Sequence, residues 1–170
     1  MGIHPADAYE YLVKARERLL SWVGGLSQEQ YTQEFPIGLR SIRATLVHTA
    51  SAEWGYVRRL LGEPVPPPQE RPFAPHAQGT FAPFAEAWAR QAEETRRVLR
   101  GIEDWNRPAE YVVSLGGHPR RYRTTAAGIA TQLLFHEVHH RAQVMAMLRQ
   151  LGIPAENLDY SVLMFEPVEG

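Results

Sequence analysis

The 170-residue sequence contains no cysteine. Disulfides, thiolate metal ligands and cysteine nucleophiles are therefore excluded, and any metal site must be built from nitrogen and oxygen ligands. Lysine is almost absent as well, because Lys14 is the one lysine among 18 basic residues. Arginine therefore carries nearly all of the positive charge.

Long apolar runs and an excess of either charge are also missing. No segment reaches the roughly 18 consecutive apolar residues of a membrane-spanning helix, and residues 1–9 lack the basic and apolar regions of a secretory signal. The formal net charge is -1, whereas nucleic-acid-binding domains are usually basic. We therefore expect a cytoplasmic protein that binds neither membrane nor nucleic acid, folded as a single domain over residues 1–170.

Four segments carry apolar residues at steps of three and four, which is the spacing of a buried helix face. The first predicted helix ends at Gly24 and Gly25, since glycine tolerates the left-handed cap conformation. The second runs from an N-cap at Ser41 to Gly62, and the third begins after Thr80. The apolar stripes of these three helices are Ala8, Leu12, Ala15, Leu19, Trp22 and Leu26; Ile42, Leu46, Ala50, Val57 and Leu61; and Phe81, Phe84, Trp88, Thr95, Leu99 and Ile102.

A short β-hairpin is predicted before the fourth helix. Two β-favouring runs, residues 111–115 and 121–123, flank a glycine pair at 116–117. Thr124 or Thr125 then caps the last helix. The pattern as a whole predicts an all-α four-helix bundle with one hairpin.

Two segments are expected to lack regular helix. Six prolines between residues 64 and 75 predict a stiff polyproline connector, although a loop of this length is often functional or mobile. The tail from Asp159 to Phe165 is predicted to be a strand or an extended packing segment.

Three of the seven histidines fall within residues 136–140. Residues four apart on a helix lie only about 40° apart around its axis, so His136 and His140 can direct two imidazoles to one metal ion. A histidine inside an apolar face needs a partner, because an unpaired buried polar group costs roughly 1–3 kcal/mol. The alternative is that each histidine hydrogen-bonds within the core or packs at the surface. His140 lies in the middle, and His136 at the edge, of the face formed by Ile129, Leu133, Val144, Met147 and Leu151.

A pair of histidines is an incomplete site, since catalytic zinc keeps three protein ligands and structural zinc four. His48, midway along the second helix, is the best third candidate, although it points away from that helix's apolar stripe. Glu137 and Gln143 could orient a ligand imidazole, or they are solvated helix surface. On a helical wheel, His139 points in a different direction from His136 and His140. The remaining histidines lie near the terminus or in loops, are expected to be solvated and have no assigned role: His4, His76 and His118.

Two sequence motifs resemble those of the DinB/YfiT-like superfamily: SIRATLVHTASAEW at residues 41–54 and HEVHHRAQV at residues 136–144. Their order and spacing, with the tail DYSVL at 159–163, match along nearly the whole chain. The resemblance implies an up-down-down-up four-helix bundle, commonly a homodimer. It also implies a divalent metal, nickel, zinc or manganese, held by His48, His136 and His140.

Some members of that superfamily are thiol-dependent transferases or isomerases that use bacillithiol or mycothiol. Our leading hypothesis is therefore a metal-dependent thiol S-transferase, or a hydrolase, acting on a small-molecule thiol and an electrophile. Arg59 would hold a substrate carboxylate or form a surface salt bridge. The alternatives are a non-enzymatic dimeric metal-binding stress-response protein and an interaction module without metal. A dimer, or an intramolecular neighbour, would bury a second stripe on the last helix, Leu134, Val138 and Met145.

Overall fold

The computed structural model of the chain describes residues 4–115 and 118–168. Four long helices dominate it, with two short helices and one hairpin beside them. The predicted glycine turn at 116–117 lies outside the described residues. The elements are α1 (Pro5–Val23), α2 (Gln28–Thr32), α3 (Ile42–Leu61), α4 (Phe81–Arg100), β1 (Pro108–Leu115), β2 (His118–Thr125), α5 (Ala126–Gln150) and α6 (Tyr160–Met164).

The four long helices form the predicted up-down-down-up bundle. Both α3 and α1 pack against α4 and α5. Helices α1 and α4 are antiparallel, because Glu10 contacts Arg96 and Gly24 contacts Phe81. Helices α3 and α4 are parallel, because Glu53 contacts Trp88 and Arg58 contacts Glu94. Helices α3 and α5 are antiparallel, because His48 contacts His136 and Tyr56 contacts Gln132.

The helix boundaries follow the predicted capping residues at most positions. The hydroxyls of Ser41 and Thr125 each accept a backbone N–H from the first turn of the following helix, and Gly62 closes α3 with φ 74°. Thr80 precedes α4 but makes no side-chain cap hydrogen bond. The left-handed cap predicted at the end of α1 is wrong, because Gly24 has φ -63°.

Two short helices were not predicted. Helix α2 begins with a capping box, in which Ser27 and Gln30 bond to each other's backbone N–H. The Ser-x-x-Gln pattern is visible in the sequence and was a usable signal. The tail predicted as a strand or an extended packing segment is instead α6, and Tyr160 packs its ring 5.2 Å from that of Tyr11 on α1. A short apolar run does not by itself distinguish strand from helix.

The proline-rich segment is folded against the bundle, which corrects the prediction of a polyproline connector. It forms two short 3-10 turns, Pro68–Glu70 and Ala74–Gln78. Between them Phe73, only 2% exposed, enters the core beside Phe84. His76 is half-buried against these two rings, so the prediction of a solvated histidine is wrong there.

A buried ionic cluster lies in the centre of the bundle. Arg16 of α1 donates to Glu53 of α3 at 2.7 Å and to Glu137 of α5 at 3.0 Å, and all three side chains are at most 5% exposed. Glu53 also accepts hydrogen bonds from the side chains of Tyr9, Trp88 and Thr95. Burial raises the pKa of Glu137, against the opposing effect of Arg16. The cluster thus connects α1 to both α3 and α5.

The second apolar stripe of the last helix is only partly covered within the chain. Met145 is buried in the core, Leu134 is half-buried and Val138 is 37% exposed. Neighbours within the chain therefore bury Met145 of this stripe. The homodimer stays a prediction. None of the described helices is long and apolar enough to cross a membrane.

Candidate metal centre

The structure brings His48, His136 and His140 together between the antiparallel helices α3 and α5. The Nε2 atoms of His48 and His136 are 3.2 Å apart, and one ring nitrogen from each of the three residues lies within 4.8 Å of the others. His140 is 9% exposed, whereas His48 is exposed to solvent. The cluster therefore extends from the edge of the core to the surface.

The donor set fits a divalent metal. Two nitrogens bound to one tetrahedral ion at the usual ~2.0–2.1 Å lie ~3.3 Å from each other, close to the 3.2 Å between His48 and His136. Three imidazoles without a carboxylate suit nickel or zinc better than manganese, which prefers oxygen ligands. These three residues could hold such an ion and would leave at least one coordination position for another ligand.

All three imidazoles are held in the neutral form that binds metals. Burial, together with the charges of the neighbouring His140 and His48, lowers the pKa of His136 to about 3. Burial also lowers the pKa of His48 and of His140. Their ring nitrogens therefore carry free lone pairs at neutral pH.

Gln143 determines which nitrogen His140 presents to the cluster. Its amide oxygen lies 2.8 Å from Nδ1 of His140, and its amide nitrogen lies 3.0 Å from Nε2 of His139. Because an amide oxygen only accepts, Nδ1 of His140 carries the proton and Nε2 keeps its lone pair. His139, which faces outward, thus holds Gln143 in the orientation that fixes this tautomer.

Gly38 makes room for the Gln143 amide. Its φ of 48° is rare for residues with a side chain, and a Cβ at this position would lie 2.6 Å from Cδ of Gln143. Sequence reasoning missed Gly38, because the contact joins the loop before α3 to the middle of α5.

The other two predicted site residues have different surroundings. Glu137 binds Arg16 through both carboxylate oxygens in the core, so it is neither a partner of the histidines nor solvated surface. Arg59 is half-buried, with its Cζ 4.6 Å from the ring centroid of Tyr111 and 5.5 Å from that of Tyr56. Among the described residues it has no carboxylate partner, so the predicted surface salt bridge is absent there.

The histidine cluster borders a large cleft, with a volume of about 1280 Å³. One wall is α3, and the others come from the 3-10 turns, the hairpin and the start of α5. His48 and His136 both line it, and Tyr56 packs its ring 5.7 Å from that of His136. The described lining includes Arg43, Arg59, Arg71 and Arg123 but no aspartate or glutamate.

A four-helix bundle with three imidazoles gathered between its second and fourth long helices defines a class of helical protein with a candidate three-histidine metal centre. The model of the DinB family matches residues 1–167. A curated relative, Protein DinB of Bacillus subtilis (strain 168), is 24% identical over 161 residues, which cover 92% of this chain and 91% of the relative. The chain therefore belongs to the DinB family.

Proposed function

We propose that this protein is a metal-dependent enzyme that transfers a small-molecule thiol to an electrophile, with His48, His136 and His140 as the metal ligands. The observation that carries the proposal is that the cluster of three neutral imidazoles opens, through His48 and His136, onto a cleft large enough for a small molecule. A buried structural site would not require such access.

The reaction joins a thiol R–SH to an electrophile such as an alkyl halide R′–X. A sulfur–carbon bond forms, the carbon–halogen bond breaks, and the thiol proton passes to solvent with the halide. A divalent metal held by His48, His136 and His140 would lower the pKa of a bound thiol and so would give a nucleophile near neutral pH.

The chain's own groups prepare the site for this chemistry. Gln143 fixes the tautomer of His140, and burial keeps His136 unprotonated. Tyr56 gives the cleft an aromatic wall beside His136, and Tyr111 gives it one beside Arg59. The arginines make it positive, which favours a substrate that carries negative charge.

The test combines metal analysis with a turnover assay. Gently purified protein is expected to contain nickel or zinc near one ion per chain, and the His140→Ala variant to have lost it. The metal-loaded protein is then assayed with a low-molecular-weight thiol and chlorodinitrobenzene. Turnover that depends on both metal and His140 supports the proposal. Absence of metal from the wild-type protein, even after incubation with nickel, zinc or manganese, contradicts it.

A second function, a non-enzymatic metal-binding protein, is supported by the placement of the ligands on two helices. His48 lies on α3 and the other two histidines on α5, so a bound ion would join these helices and stabilise only the folded state. Stoichiometric metal with a raised melting temperature and no turnover across a panel of thiols and electrophiles would favour it. A protein that binds no metal would instead be an interaction module.

A further inference from the structure

We propose that Arg59 and Arg71 form an oxyanion subsite in the cleft, which binds a carboxylate or phosphate group of the small molecule that reaches the three histidines. The subsite indicates that the substrate of the transferase reaction proposed above carries an anionic group. That the bound molecule is a substrate rests on the proposed function. Its existence as an anion-binding site is testable without turnover.

The first observation is that these two arginines lack the carboxylate partners of Arg58 and Arg96, which are also half-buried. Arg58 binds Glu63 and Glu94, and Arg96 binds Glu10 and Glu93. Within the described chain, neither Arg59 nor Arg71 forms a salt bridge, although both are partly covered. Arg123 of the cleft is also paired, with Glu110, whereas the charges of Arg59 and Arg71 have no carboxylate partner among the described residues.

The second observation is that the two guanidinium groups converge. A Cβ built on Gly55 would lie 3.8 Å from Nη1 of Arg59 and 4.0 Å from Nη1 of Arg71. Gly55 belongs to α3, one turn before Arg59, whereas Arg71 follows the first 3-10 turn. The helix and the folded proline-rich segment therefore bring two like charges to the surroundings of Gly55.

The third observation is that both guanidinium groups are held in place by uncharged neighbours. Nε of Arg71 donates to the carbonyl oxygen of Pro66 at 3.0 Å. Arg59 lies against Tyr111 and Tyr56 by cation–π contacts, and its buried Nε–H has no acceptor among residues 4–115 and 118–168. Neither contact neutralises the charge, so the donors are positioned but uncompensated.

These positions are energetically costly without an anion. Burial lowers the pKa of both arginines, and the charge of Arg59 lowers that of Arg71 further. A carboxylate or phosphate between them would remove the repulsion and accept charge-assisted hydrogen bonds from two guanidinium groups. Arginine suits this role because its planar fork matches both oxyanions.

The subsite is next to the candidate metal centre. Tyr56 packs between them, with its ring 5.7 Å from that of His136 and 5.5 Å from Cζ of Arg59. His48, Arg59 and Arg71 line the same cleft. A molecule anchored by its anionic group at the arginines would therefore have its other end within reach of the histidines.

The experiment is a titration of the full-length protein with succinate and, separately, with inorganic phosphate, followed by NMR of the arginine side-chain N–H groups. It is done on metal-free protein, so that a metal cannot bind the anion, and repeated on zinc-loaded protein. The variants are Arg59→Gln and Arg71→Gln. The matched control is Arg18→Gln, which removes one exposed charge outside the cleft. A melting curve for each variant verifies that it is folded.

We expect succinate or phosphate to bind the metal-free wild type, and each cleft variant to weaken that binding by about tenfold, the loss of a charge-assisted hydrogen bond. The control should bind like the wild type. Tighter binding of phosphate than of succinate assigns a phosphorylated ligand, and the reverse a carboxylate.

Two results overturn the subsite: no binding of either anion to the wild type, or equal binding by wild type and both cleft variants. Failure of the transferase proposal gives a different outcome. In that case the anions still bind in an arginine-dependent way, while thiol and electrophile are not turned over. If one variant does not fold, the other decides, since Arg59 and Arg71 lie on separate segments.

Discussion

The amide oxygen of Gln143 lies 2.8 Å from Nδ1 of His140. This contact joins two residues one helical turn apart, and it leaves Nε2 of His140 free for the cluster that it forms with His48 and His136. A ligand imidazole whose second nitrogen is hydrogen-bonded in this way is oriented and fixed in one tautomer before the metal arrives.

Replacing Gln143 with leucine is expected to lower the affinity for zinc or nickel by about 10- to 100-fold, because His140 loses its tautomer control. Competition with a chromogenic chelator measures the affinity. His139→Ala removes the group that holds the amide nitrogen of Gln143 and should produce a smaller loss. Unchanged affinity in Gln143→Leu would show that the contact does not orient the ligand.

Gly38→Ala is expected to lower both stability and metal affinity. A side chain at φ 48° is strained by roughly 1–2 kcal/mol, and the new Cβ would displace the Gln143 amide, since Cδ lies 2.6 Å from its position. The matched control is Gly152→Ala, which has φ 79° but open space around its Cβ. The control should lose stability and keep its metal affinity. Equal metal affinity in both variants contradicts the role of Gly38.

Arg16→Met is expected to reduce the free energy of unfolding by about 3–5 kcal/mol, because it leaves the buried carboxylates of Glu53 and Glu137 unpaired. Urea denaturation measures the change. Arg18→Met on the same helix is the control, and breaking its exposed pair with Glu156 should cost only about 0–1 kcal/mol. Adding Glu53→Gln and Glu137→Gln to Arg16→Met should restore part of the loss. Similar losses in the two arginine variants would contradict the importance of the cluster.

Metal-free protein is expected to lose stability as the pH falls below neutral. The pKa of His136 is about 3 in the folded protein, against 6.5 for an unperturbed histidine. Between these values the unfolded chain binds a proton that the folded chain does not, so stability is full above the unfolded pKa and falls towards lower pH. Urea denaturation across this pH range measures the slope, which should be shallower in His136→Asn. Identical slopes in the two proteins would contradict the lowered pKa of His136.

Gly55→Ala is expected to stabilise the protein by about 0.5–1 kcal/mol, since glycine inside a helix is less favourable than alanine. Space permits the change, because the nearest atom to the added Cβ, Cγ1 of Val65, would be 3.5 Å away. Urea denaturation beside the wild type tests it. A decrease in stability would show that the region between α3 and the proline-rich segment does not tolerate a methyl group.

Local patterns predicted the main helices and part of the candidate site. The apolar residues at steps of three and four, with Ser41 and Gly62 as caps, predicted both ends of α3. The four-residue spacing of His136 and His140 placed two imidazoles on one side of α5, and the structure brings the predicted third candidate, His48, next to them. These features depend on helix geometry, which is repeated every turn and is readable without knowledge of the fold.

Side chains that meet across the fold were not predictable in this way. Glu137 is adjacent in sequence to His136, yet its partner Arg16 is 121 positions away. Arg71 and Tyr111 reach the cleft from a loop and a hairpin whose own sequences give no reason to expect them beside the histidines. The tail is a helix whose aromatic residue Tyr160 packs on α1, a contact that the sequence of the tail does not reveal.

The sequence by itself determined the number of long helices, most of their boundaries, the hairpin and the histidine pair, since each depends on interactions between residues close along the chain. Only the tertiary structure decided that the proline-rich segment folds into the wall of a cleft. It also decided that Arg16 joins α3 and α5, and that four arginines but no aspartate or glutamate line the described part of the cleft. The physical reason is that burial and pairing of charge are set by distant segments, which local periodicity does not encode.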